Sequence, residues 1–416
     1  MRHRQAKVTG VLIAGTAAAL VMAGCSSGSG SGGGSGASGG GGSSAKGNPI
    51  VIGVSASLTG EYSFIGVDGS DGIKLAASQI NAAGGIDGRP ITLDVEDDGS
   101  SASQALPNMS KFVQDQSVLA VLGASASAIL TPLGSVANSS KLFMGAVDAN
   151  SPSIGATGPY AMSMSDSGDE LQTPLATYAV QTSGKRLAAA DDTDNSAYVS
   201  LAQEFGTDVK TSGGQYLDQE GLLSTTQDVS SIATKIAALS PNGVFLGLVP
   251  TQTATFIQEI GQAAGKGVGY YAPFGDATDD FLTAGGSSIN GVVVSANFGS
   301  GSSALAQSFT TAFEKAYNKA PDDPSAIGYA ALEWIAARLK TSSDINGISR
   351  TEAQQLITKA GSEPSVLGHG TMTVTAKEQV TFPPALLKVK NGAFATLTSG
   401  SSGAASPSGT ASPSGS

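Results

Sequence analysis

Pro49-Ile50-Val51-Ile52-Gly53-Val54, Gly72-Ile73-Lys74-Leu75-Ala76 and Ile91-Thr92-Leu93-Asp94-Val95 read in order as one strand, one helix and one strand. The run Ile50–Val54 lacks the alternation of a half-wet strand, which predicts a strand of a parallel sheet covered on both faces. Such a strand needs a crossover. Residues 72–83 supply it, because Ile73, Ala76, Ala77 and Ile80 recur at spacings of three and four and form one apolar stripe. Gly84 and Gly85 stop that helix, Asp87-Gly88 makes a turn, and Ile91, Leu93 and Val95 begin the next strand, with Asp97 and Asp98 just past its carboxyl end. The connection Ser55–Asp71 is rich in Ser, Gly and aromatic residues. Its place at the carboxyl end of a parallel strand is where open α/β sheets bind ligands, so it is the first candidate for a binding wall.

Working outward, the 416 residues allow two substantial domains, and 40% apolar content is ordinary for a globular chain. Arg2, Arg4 and Lys7 precede an apolar run Val11–Ala23 and then Gly24 and Cys25, the layout of an export signal whose core is short for a membrane span. Cys25 is the single cysteine, so no internal disulfide forms. Val21-Met22-Ala23-Gly24-Cys25 resembles the lipobox of bacterial lipoproteins, although Met22 stands where leucine is usual. That resemblance implies removal of residues 1–24 and an acylated, palmitate-type anchor on Cys25 at the outer face of the cell membrane; simple secretion is the alternative. Residues 26–48 hold 11 Gly and 8 Ser and read as a tether, and the Ser/Gly/Pro tail 399–416 reads as disordered. The net charge of −11 becomes more negative once Arg2, Arg4 and Lys7 leave, which argues against nucleic-acid partners.

Along the folded region, a helix is expected over Ala102–Val113 with a bend or late start at Pro107, a strand over Val118–Leu122, and a helix after Ala124-Ser125-Ala126-Ser127-Ala128. Ser hydroxyls and open amides at a helix start can hold a carboxylate without a buried cation; capping is the plainer role for Ser125 and Ser127. Leu142–Met144 gives a fourth strand, followed by Val147, Asp148 and Ala149. A second α/β series follows: helices over 171–180, 197–209, 232–239 and 253–261, and strands over 187–190, 244–248, 269–272 and 291–294. Three more helices and short strands over 371–375, 381–389 and 393–397 complete the chain. Gly261–Gly267 does not have P-loop spacing, and Gly53, Gly60 and Gly66 do not make a dinucleotide fingerprint. No cofactor is expected, and because His3 and His369 are the only histidines, no His-rich metal set or His-based triad is expected either. Asp97 and Asp98 are adjacent at a strand end and should diverge, which makes them poor partners as general acid and base.

These residues carry a resemblance. Pro49–Val54, Leu58-Thr59-Gly60, Gly72–Ala76 and above all Ile80-Asn81-Ala82-Ala83-Gly84-Gly85-Ile86-Asp87-Gly88 resemble the opening of type I periplasmic binding proteins, closest to the solute receptors of branched-chain amino acid ABC importers. The resemblance implies two doubly wound α/β parallel-sheet lobes with a central cleft and three inter-lobe crossovers. It places 49–163 and 296–366 in the first lobe and 164–295 and 367–398 in the second. It implies capture of a small polar solute by hinge closure, a branched-chain or other amino acid or another small organic molecule, and presentation to an importer permease. It also implies site residues: Ser125 and Ser127 for a carboxylate, Val147 and Ala149 in the next loop, Phe64 and Ile65 as an apolar wall, Tyr198 as the second-lobe aromatic, and Tyr329 as an aromatic near the hinge. Asp276 would receive an ammonium, with Asp192 and Asp194 as alternatives. A ligand-sensing lipoprotein of the same fold and an extracytoplasmic hydrolase using Ser or Asp are the rival functions.

Overall fold

The computed structural model describes residues 47–397 apart from residues 150, 167 and 266; the leader, Cys25, most of the tether and the tail lie outside the described residues. The first sheet contains β1 (Ile50–Ala56), β2 (Ile91–Asp97), β3 (Val118–Ala124), β4 (Phe143–Val147) and β5 (Ala161–Ser163), all parallel in the order β2-β1-β3-β4-β5. Between them run α1 (Ser63–Ala82), α2 (Ala102–Gln114), α3 (Ser127–Ser140) and the short α4 (Pro152–Gly155). Both faces are covered, as the unbroken apolar strands require. Ile50, Ile52 and Val54 point into one buried cluster, while Val118, Val121 and Phe112 belong to another. Gly53 lies under the Phe112 ring, where a Cβ would sit 2.9 Å from Phe112 Cγ.

The second sheet repeats the plan. α5 (Gly168–Thr182) leads into β6 (Arg186–Asp192), α6 (Ser196–Thr211), β7 (Gln215–Leu222), α7 (Ser230–Ala238), β8 (Gly243–Gly247), α8 (Pro250–Ala263), β9 (Gly269–Ala272), α9 (Asp279–Gly285) and β10 (Val293–Ala296). Strands β10-β9-β8-β6-β7 are parallel neighbours. Strand β7 was not expected, and its sequence explains why: Asp218, Gln219 and Glu220 interrupt the apolar pattern on a sheet edge, where charge is a guard against pairing with other chains.

The chain then returns to the first lobe. α10 (Ala304–Tyr317), α11 (Asp323–Leu339) and α12 (Arg350–Ile357) carry Phe309, Phe313, Trp334, Ile335 and Ile357 into the core that holds Ile50 and Ile73. A small sheet of β11 (Gly361–Pro364), β12 (Thr371–Val374) and β13 (Val380–Thr381) adds Met372, Val374, Val380 and Phe382 to the same core. By this packing the last crossing falls after Phe382, later than the boundary at 366 expected from the resemblance. Pro383-Pro384 breaks the single strand expected over 381–389. Beyond it, β14 (Ala385–Lys390) pairs antiparallel with β10, and β15 (Ala393–Thr396) pairs with β14.

The other difference is at α1, which begins at Ser63 rather than Gly72. Gly66 and Gly69 look like loop residues and Gly72 like the start of the helix, yet here all three are contact points. A Cβ on Gly72 would fall 1.9 Å from Ser325 O, one on Gly66 2.1 Å from Ser57 O, and one on Gly328 2.2 Å from Gly69 O. Backbone-to-backbone packing of α1 on α11 outweighs the helix-propensity cost of these glycines. Helix α2 likewise runs through Pro107 without a late start.

Three stretches cross between the lobes: Met164–Asp166, Asn297–Ser302 and Phe382–Pro384. The first is tied to the third, and the second to α11 and to the loop before β12. Asp166 Oδ2 accepts from Phe382 N (3.3 Å), and Asn297 O accepts from Gly368 N (3.1 Å). Asp323, at the start of α11, accepts from Asn297 N, Asn297 Nδ2 and Phe298 N, all at 2.9 Å. Burial pushes the Asp323 carboxyl up to about 6, against the pull of these three donors.

Candidate functional site

In a 2-1-3-4-5 sheet the crevice opens where the winding reverses, between β1 and β3, at the carboxyl ends of the strands. Ser57 and Ser125 stand just beyond those two ends, both fully buried. Ser57 Oγ donates to Asp98 Oδ1 (2.7 Å), so its oxygen accepts the Ser125 hydroxyl at 2.6 Å. Asp98 Oδ1 also accepts from Ser100 N (2.9 Å), whereas its Oδ2 is buried without a partner. Burial pushes the Asp98 carboxyl up, opposed by the hydrogen bonds of Ser57 and Ser100. Asp97 does different work: its carboxylate accepts from Leu58 N, Thr59 N, Thr59 Oγ1 and Gly99 N and fixes the loop after β1.

The neighbouring strand ends complete the first-lobe wall. Ser127 is the first residue of α3, half-buried, with Ala126 as an N-cap that supplies no side-chain acceptor. The first two amides of the helix, of Ser127 and Ala128, are therefore left open, while Ile129 N bonds Ala126 O (2.9 Å). Val147 ends β4 and Ala149 follows, both buried. Between them Asp148 is half-buried in the left-handed region at φ +52°, and burial, with Asp323 adding, holds its carboxyl well above the usual range. Phe64 and Ile65 open α1, Phe64 45% exposed and Ile65 buried. Tyr329 stands apart from all of these: its hydroxyl donates to Gln79 Oε1 (2.7 Å) and its ring packs on Phe309 at 4.8 Å, in the seam where α11 meets α1. The close approach allowed by the α1 glycines draws it into that seam.

In the second lobe the winding reverses between β6 and β8. Tyr198 lies in the first turn of α6, and its hydroxyl approaches Gly275 so closely that a Cβ there would be 2.9 Å away. Asp276 sits in the single 3-10 turn Phe274–Asp276 after β9 and is fully buried. Its Oδ2 takes a long 3.5 Å hydrogen bond from Thr253 Oγ1, and its Oδ1 has no partner. Burial pushes the Asp276 carboxyl well up; the Tyr198 phenol is raised by burial and by Asp276 and Asp192. Of the alternative acids, Asp194 is committed to Ser224 N and Oγ (3.1 and 3.0 Å), and Asp192 accepts from Asp194 N (3.0 Å). Among the described residues, no three His, Cys, Asp or Glu side chains come together as a metal set.

The structure thus groups Ser125, Ser127, Val147 and Ala149 at one set of strand ends, and Tyr198 and Asp276 at the other. Sequence reasoning passed over Ser57, Thr253 and Asp323. Strand-end position marks the first, but Thr253 and Asp323 carry no signal beyond being polar in the first turn of a helix.

The chain matches the family model described as "Periplasmic binding protein" over residues 49–393. It is 26% identical over 241 residues to an amino acid binding protein of Pseudomonas aeruginosa, a match spanning 57% of this chain and 63% of that protein. It is 24% identical over 352 residues to the Leu/Ile/Val-binding protein BraC3 of Rhizobium johnstonii, covering 84% of this chain and 89% of the relative. An ABC transporter substrate-binding protein from Desulfitobacterium hafniense, solved in complex with Leu, superposes with a TM-score of 0.71 at 24% identity, over 84% of this chain and all of that one. With the two parallel-sheet lobes and the three crossovers, these matches establish that the chain belongs to the periplasmic binding protein family.

Proposed function

We propose that this protein is the solute receptor of an ABC importer, capturing a small amine-bearing solute of the amino acid class between its lobes and presenting the closed form to a permease. The family places its action outside the cytoplasm, and no described helix is long and apolar enough to cross a membrane. In this reading Cys25 carries the lipid anchor and the Gly/Ser tether lets the receptor move around it. The observation that supports the reading best is Asp276, a fully buried carboxylate with an unpartnered oxygen beside Tyr198 at the strand ends of the second lobe. A buried charge without a partner costs several kcal/mol, and a ligand ammonium offsets that cost.

The opposite wall suits the rest of such a ligand. Open amides at the start of α3, with Ser127 on its first turn, favour a carboxylate; Ser125 lies beside them. Phe64, Ile65, Val147 and Ala149 supply apolar surface. The work required is reversible: the solute binds the closed arrangement more tightly than the open one and shifts the population toward it. The reading is therefore of a binding protein without covalent chemistry. Native mass spectrometry of the gently purified protein tests it. The expected result is a bound small solute whose release and identification give an amine; a protein that retains no solute and binds none from a cell extract would contradict it.

A further inference from the structure

We propose that the solute carries two cationic groups, as a basic amino acid or a linear diamine does, with Asp148 on the first lobe receiving one and Asp276 on the second receiving the other. This inference rests on the solute-capture reading and narrows its ligand class. Three acids stand at the strand ends without a counter-charge. Asp276 is fully buried with Oδ1 unpartnered, and Asp98 is fully buried with Oδ2 unpartnered. Asp148 makes no hydrogen bond or ion pair among the described residues, and its nearest charged influence is another acid, Asp323. The ion pairs of the described residues lie elsewhere: Lys111 with Asp94 and Glu96, Lys235 with Glu220, Lys319 with Asp68 and Asp71, Lys74 with Asp71, and Arg338 with Glu363.

The hydroxyls point the same way. Because Ser57 gives its proton to Asp98, Ser125 gives its own to Ser57, so the fully buried Ser125 Oγ has lone pairs left to offer and no donor. A wall of that kind receives N–H groups. Asp148 is also held at φ +52°, where an L residue is strained, and such strain persists at sites where function holds it in place. A neutral amino acid brings a single ammonium, which answers Asp276 and leaves Asp148 without a counter-charge. A solute with ammonium groups at both ends neutralises one acid on each lobe. Because closure brings the two walls together, it also removes the like-charge repulsion that would otherwise oppose it. In a basic amino acid the carboxylate still has the open amides of α3.

Isothermal titration calorimetry of the full chain at pH 8 and low salt, with L-lysine, L-ornithine and putrescine against L-leucine and benzoate, tests this. The expected result is that at least one of the first three binds tenfold or more tightly than leucine and loses affinity with added sodium chloride. Asp148→Asn should weaken that binding at least tenfold. Asp148→Gly, which suits the left-handed backbone and keeps the fold, should weaken it equally. Leucine or benzoate binding more tightly than all three, or unchanged affinity in both Asp148 variants, overturns the two-cation inference while leaving solute capture intact. Silence from all five solutes also overturns it, and the solute retained in native mass spectrometry then decides capture separately.

Discussion

Replacing Asp276 by Asn should move stability and binding in opposite directions. In the free protein the Asp276 carboxyl is completely buried, one oxygen has no partner, and the other has a 3.5 Å hydrogen bond from Thr253. At pH 8 the folded state must carry either an unpaired buried charge or a proton held against its ordinary tendency. Asn has nearly the same shape and no charge, and it can use Thr253 Oγ1 as an acceptor. Relief of the charge should stabilise the free protein by about 1–3 kcal/mol, the usual penalty of an unsatisfied buried group. In a chain of this size that is a rise of roughly 1–4 °C in melting temperature. Binding suffers because the ligand ammonium loses its charged partner; truncating one side of a buried charge pair costs about 2–5 kcal/mol, roughly 30-fold or more in affinity. Differential scanning calorimetry and titration calorimetry on the same preparation read both quantities. An Asp276→Asn protein that melts earlier and binds the native solute as tightly as before would refute the argument.

Further outcomes follow from the same geometry. Gly72→Ala places a methyl 1.9 Å from Ser325 O and should separate α1 from α11, destabilising the protein by about 1–3 kcal/mol or more in urea unfolding; an unchanged midpoint would mean that the helix seam is not tight. Asp323 holds its proton to about pH 6 in the folded state, so between its ordinary 3.8 and that value the folded chain binds more protons than the unfolded one. Its contribution is therefore greatest at the acid end of this window and is lost as pH rises through it, about 3 kcal/mol in all. Asp98, Asp148 and Asp276, also raised, act in the same direction, whereas Asp115 and Asp228, lowered by Ser117 and Ser230, act only below the window. Urea unfolding should show greater stability of the free protein at pH 5 than at pH 7.5, and the reverse order would contradict this. Ser125→Ala removes the last link of the Ser125–Ser57–Asp98 chain and should weaken solute binding about 5- to 10-fold with little change in melting temperature, measured by the same calorimetry.

The sequence carried the sheets more clearly than the site. Ile50–Val54, Val118–Leu122 and Val244–Leu248 announce themselves as strands because a parallel sheet covered on both faces leaves no polar positions. Residues whose role depends on a distant partner are less legible. Gly66 and Gly69 read as loop until Ser57 is seen against the first and Gly328 of α11 against the second, and Asp218 and Glu220 conceal an edge strand by the same charges that protect it. At the site, strand-end position singles out Ser125 and Ser127, the family resemblance supplies Asp276, and Asp148 was passed over between Val147 and Ala149. The pairing of Ser57 with Ser125 and with Asp98 spans 68 and 41 residues and follows only from the order β2-β1-β3. Tyr329 has the residue type of a hinge aromatic, but nothing local reveals that Gln79 and Phe309 claim it.

The account's central claim is that solute is held by closing the two lobes on one another. Small-angle X-ray scattering of the protein stripped of solute, and again after saturation with the solute recovered from it, tests this most directly. The account predicts a smaller radius of gyration with the solute bound and no change in molecular mass; scattering curves that coincide while calorimetry reports saturation would contradict it.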